Sequence, residues 1–159
     1  MELDWPDDPL AALWHGATLL REHRGDGHVV ALVHAELDGT EAHVARIAGS
    51  GDPVGSIQPY RGWSAQDWDD AAERLRKRRL LDAQGHLTAA GRAFRDRIEA
   101  DTDRLAATAA TALSGAGLER LLILLRPLLA RLAEGVIPYP NPMGVPRLEA
   151  TSRLPGVAP

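Results

Sequence analysis

The sequence predicts a mainly α-helical domain that carries one short β-hairpin. Three observations support this. Apolar residues recur at helical spacing along most of the 159 residues. Ser, Thr and Asp caps stand ahead of several of the periodic runs. One stretch, "RLLDAQGHLT", alternates around a glycine as a hairpin does. A chain of this length fits one domain with a real core, and 45% hydrophobic with 25% charged residues is ordinary globular composition.

Residues 1–8 read as a flexible acidic arm. A first helix is expected from Pro9 to about Glu22, with Asp8 as its cap, Pro9 suited to the first turn, and Leu10, Leu13, Trp14, Ala17 and Leu20 on one face. Gly25 is expected to end it. A second helix then runs from about Gly27 to Leu37 and stops at Asp38-Gly39, and a third starts under the cap Thr40. "GDPVGSIQPYRG", 12 residues rich in glycine and proline, reads as a loop long enough to act as a lid. Ser64 caps the next helix with Asp67 three positions on, and Trp68, Ala71, Ala72 and Leu75 line its apolar face.

After the hairpin, Thr88 caps a long amphipathic helix reaching about Leu113. A last helix covers Leu118 to Glu134, with a bend expected at Pro127. Helix, capped helix, short hairpin and long helix is the order of a winged helix with long C-terminal dimerisation helices added. The expected organisation is therefore a single winged-helix-like domain over residues 9–134, a homodimer, and a proline-rich tail over 135–159.

Several function classes are excluded. The chain has no cysteine, so disulfides, thiolate metal sites and thiol nucleophiles are ruled out. "MELDWPDDPL" lacks the basic start and apolar run of a signal peptide. "LERLLILLRPLLARL" is broken by Arg120, Arg126 and Arg131 and is too short to span a bilayer. These features predict a cytoplasmic protein with no membrane partner. No phosphate loop, dinucleotide glycine fingerprint or serine elbow occurs, so no cofactor is expected. Lys77 is the single lysine among 18 basic residues, and that arginine bias with abundant alanine fits a high-GC bacterial genome.

"HRGDGH", residues 23–28, concentrates the polar chemistry, and three readings stay open. As a helix–helix corner, Gly25 ends one helix and Asp26 caps the next. As an acid–base site, His28 would be a base in a first turn, where the dipole disfavours imidazolium, and His23 an acid at a helix end that favours it. Arg24 would hold a substrate anion, and Glu22 or Asp26 would orient an imidazole. As a metal clip, His23, Asp26 and His28 offer ligands, but the spacing matches no strong motif and a further ligand is not evident, so no metal is expected. Trp14, Tyr60, Trp63 and Trp68 are either core residues or walls of a pocket for a flat ligand, and Asn141 in "YPNPMG" could close over that pocket.

The stretch "RGWSAQDWDDAAERLRKRRLLDAQGHLTAAGRAFRDRIEADTDRL" resembles the winged helix of MarR-type regulators. "LLREHRGDGHVVAL", "RGWSAQDW", "EADTDRL" and "YPNPMG" together resemble a family of mostly actinobacterial SalK-like or helix-turn-helix proteins, over Ala17 to Gly144. The resemblance implies a winged-helix-like fold and no defined activity. Members of that family carry a further helical segment ahead of the hexapeptide. The resemblance thus implies either a short self-sufficient relative or a half-subunit whose partner supplies that segment.

DNA recognition is disfavoured at this level. The net charge is −4. The helix in the recognition position starts with Asp67, Asp69, Asp70 and Glu73, and the tip of the wing lacks arginine and lysine. Only the run Arg74, Arg76, Lys77, Arg78, Arg79 speaks for a phosphate backbone. The favoured function is a small cofactor-independent enzyme working by acid–base dehydration, isomerisation, or conjugate addition and cyclisation on a small-molecule intermediate of bacterial secondary metabolism. The alternative is a MarR-like, ligand-responsive DNA-binding regulator.

Overall fold

A computed structural model describes residues 3–138. Five α-helices follow in order: α1 (Pro9–His34), α2 (Gly39–Ser50), α3 (Ala65–Lys77), α4 (Ala89–Ala106) and α5 (Gly115–Gly135). The principal packing pairs are α1 on α4 and α2 on α3, with α2 also touching α4. The core lies where these pairs meet. Ile57, Leu75 and Thr102 are its largest fully buried side chains, surrounded by Val44, Trp68, Leu81 and Ile98.

The largest departure from expectation is α1. It runs unbroken through Gly25 and Gly27, so no corner exists at "HRGDGH". Each glycine inside a helix costs about 1 kcal/mol relative to alanine. At Gly27 the gain is close approach to α4, because a Cβ there would lie 3.1 Å from the Leu105 Cβ. Asp8 does cap α1, accepting from the Ala11 amide at 2.8 Å.

The cap of α2 is Asp38, not Thr40. Asp38 and Glu41 form a reciprocal capping box, and Gly51 closes the helix in the left-handed conformation at φ 73°. The loop after it contains two 3-10 turns, Val54–Ser56 and Gln58–Tyr60. Between them Ile57 is only 1% exposed. The loop is therefore pinned to the core by its middle, which argues against the expected lid.

The Ser64–Asp67 capping box opens α3 as the sequence predicts, and Trp68, Ala71, Ala72 and Leu75 form its buried stripe. Among the described residues the hairpin contracts to one antiparallel bridge, Leu81 with Leu87, turned at Gly85 with φ 85°. Thr88 caps α4, accepting from the Gly91 amide at 3.0 Å. That helix stops at Ala106, before the expected Leu113, and a 3-10 turn follows over Ala107–Ala110. Ser114 caps α5, which starts ahead of the expected Leu118, contains Pro127, and buries only Ala133.

Candidate functional site

With α1 continuous, the hexapeptide is spread around a helix. His23, Arg24, Gly27 and His28 face α4 and the turn after it, whereas Asp26 is exposed and makes no capping bond. Arg24 reaches Glu99 at 3.4 Å and Asp103 at 3.2 Å. His23 Nε2 lies 3.0 Å from the Thr108 hydroxyl, and His28 Nδ1 lies 2.9 Å from that of Thr102.

Each threonine hydroxyl donates its single proton elsewhere, Thr108 to the Leu105 carbonyl and Thr102 to the Ile98 carbonyl, both at 2.8 Å. Each must therefore accept from its histidine. His23 carries its proton on Nε2 and His28 on Nδ1, assignments that follow from the hydroxyls. Both histidines stand in mid-helix, so the opposed dipole ends invoked to tune them are not present. The structure spreads the proposed acid His23 and base His28 along the α1–α4 seam and leaves Asp26 outside it.

The aromatic residues are also dispersed. Trp68 is in the core, while Trp14 and Tyr60 are 76% and 68% exposed. Trp63 packs on the face of Gly39, with its ring centroid 5.3 Å from that of His43. Asn141 lies outside the described residues.

What the structure does assemble is a cavity of about 290 Å³ between α1, α2 and α4. His28 enters it from α1, His43 and Arg46 from α2, and Arg95 and Glu99 from α4. Burial is the first cause holding the His43 pKa below its ordinary value, followed by the charges of Arg61, Arg46 and His28. Neutral imidazole is therefore its form at pH 7. Sequence reading missed four of these five residues. Their signal was present but faint: His43 and Arg46 stand three apart on α2, and Arg95 and Glu99 four apart on α4.

A second polar cluster ties the helix pair α2–α3 together. Arg74 pairs with Asp38 at 2.6 Å and with the buried carboxylate of Glu41 at 3.1 Å. Arg78 donates to the carbonyls of Ala35 and Glu36, and Arg76 stands 3.5 Å from Glu73. Much of the basic run is thus occupied within the protein. The exposed cations on either side of the Leu81–Leu87 bridge are Lys77, Arg78, Arg79, Arg92 and Arg97.

Two packed helices, α2 and α3, followed by a turn closed by one bridge and by the long helix α4, are consistent with a helix-turn-helix class of protein. A helix-turn-helix family profile matches residues 1–138, and the chain belongs to that family. No curated protein and no solved structure matches it. Among the described residues, no single helix is long and apolar enough to cross a membrane.

Proposed function

We propose that the protein is a DNA-binding regulator of the helix-turn-helix family, gripping the phosphate backbone with the C-terminal end of α3 and the base of the wing. Family membership supports this over the enzyme reading, whose hexapeptide geometry is absent. The observation that carries it is the division of charge. Residues 64–73 hold four carboxylates and no base, whereas residues 74–97 hold eight arginines and lysines against Asp82 and Asp96. Arg74 and Arg76 are neutralised by acidic neighbours, and the exposed remainder forms a cationic face. Such a face binds a polyanion by counterion release and carries little sequence information.

Titration of a promoter-length duplex by fluorescence anisotropy at several salt concentrations tests this. Binding should weaken steeply with salt. The double change Arg79→Ala and Arg97→Ala should flatten the log–log slope by about 2, one for each lost phosphate contact. Absence of binding at low salt would remove the reading. It would leave the second one, a helix-turn-helix protein that has given up DNA for a small molecule, which the acidic start of α3 favours.

A further inference from the structure

The two packed pairs, α1–α4 and α2–α3, meet where α2 touches α4, and the charges at that joint are unbalanced. His28 of α1, His43 and Arg46 of α2, and Arg95 and Glu99 of α4 face one another across it, and no charged group of α3 does. Arg95 is laid across Gly49 of α2, so its charge sits within the joint itself. The single carboxylate, Glu99, is shared with Arg24 at 3.4 Å. Arg46 has Asp52 at 3.9 Å, the outer limit of an ion pair. Arg61, from the loop ahead of α3, adds its charge to those that His43 feels, and the Trp63 ring lies beside the imidazole. Among the described residues His86 is the one histidine paired with a carboxylate, Asp82 at 3.7 Å. His43 therefore stands among cations with no anion of its own.

We propose that this joint is acid-sensitive: protonation of His43 among these cations loosens α2–α3 from α1–α4 and parts the cationic face that the two pairs share. That face is divided between them, with Lys77 on α3 and Arg92 and Arg97 on α4, so it is continuous only while the joint is closed. The effect on the face rests on the DNA reading, whereas the loosening does not. Opening returns His43 to water and to its ordinary value of 6.5, above the one it has in the closed joint. Between the two values the opened or unfolded chain binds more protons. The stability tied to His43 is therefore full above about pH 6.5 and falls as pH drops toward the folded value.

Thermal melting between about pH 7.5 and 5.5 reads the joint, and duplex anisotropy over the same range reads the face. On acidification the wild type should lose about 2–4 °C more than His43→Gln, whose side chain stays uncharged throughout. Glu99→Gln, which removes the one carboxylate at the joint, should deepen the loss. Wild-type affinity for the duplex should fall over this range. That of His43→Gln should rise instead, as exposed histidines such as His86 gain charge. Equal pH dependence of melting in wild type and His43→Gln, a shallower loss in Glu99→Gln, or wild-type affinity that rises with acid as the variant's does overturns the proposal. Absence of duplex binding at every pH removes the DNA reading and the parting of the face with it, and leaves the loosening to stand or fall on the melting curves.

Discussion

The two halves of α3 share one buried stripe and differ in almost everything they present outward. In the first half Asp67, Asp69 and Asp70 are exposed, and Gln66 donates to Asp70 at 2.8 Å. The second half is basic, with Arg74 bound to the start of α2 and Lys77 exposed at its end. Acids at a helix start and bases at its end both complement the helix dipole, so the arrangement stabilises α3 before any partner is considered. The consequence for binding is asymmetric. A recognition helix ordinarily offers its N-terminal residues to base edges. Here that end repels phosphate, and the proposed contact with a polyanion falls to the opposite end of α3 and the arginines that follow it.

The stripe that joins the halves is the place to break this comparison altogether. Leu75 is fully buried, with Trp68, Ala71 and Ala72 on the same face. Leu75→Ala should cost about 2–5 kcal/mol, the range for deleting a buried leucine side chain. Urea denaturation measures it. A loss below 1 kcal/mol would mean that α3 packs far more loosely than its burial indicates.

Erasing the difference between the halves is a smaller change. Asp69→Asn with Asp70→Asn removes two exposed carboxylates from the acidic half and leaves the buried stripe untouched. Affinity for duplex DNA should rise roughly threefold to tenfold at low salt, and the gain should shrink as salt is added. An unchanged affinity would place the acidic half away from the bound duplex and confine contact to the wing side.

Local features of this fold were legible in the sequence and long-range ones were not. The Ser64–Asp67 and Thr88 starts are visible because a cap is a bond between residues three apart, whatever surrounds it. The hexapeptide failed for the opposite reason. Two glycines and an aspartate read as a helix break on propensity, but the break is worth only about 1 kcal/mol per glycine. Contact with Leu105 on α4 outweighs it, and nothing near Gly27 in the chain announces Leu105. The basic run shows the same limit. Its spacing displays a charged surface, but Arg74 is committed to Asp38, 36 residues earlier. The cavity was hidden because periodicity tells which face of a helix is buried and not which side chains it meets there. His43 and Arg95 line one cavity only because α2 lies against α4.

The smallest expected effect tests whether the acidic half owes its order to its own cap. The Ser64 amide donates to Asp67 at 2.9 Å and its hydroxyl at 2.7 Å, and the Asp67 amide returns a bond to the Ser64 hydroxyl at 3.1 Å. The hydroxyl first, and then the amide, hold the Asp67 carboxyl below the ordinary carboxylate range. Its folded-state pKa therefore lies below its unfolded one, and in the window between them the unfolded chain binds more protons. The stability linked to this group is complete above the unfolded value, about 3.9, and is lost as pH falls through the lower folded value. Ser64→Ala removes the hydroxyl and keeps the amide, so it should lower the melting midpoint by about 2–4 °C at neutral pH. On acidification below about pH 4 the two melting curves should converge, because the wild type then loses the larger linked term. Melting differences that stay parallel down to acid would show that the Ser64 hydroxyl acts by accepting from the Asp67 amide and not through the Asp67 charge.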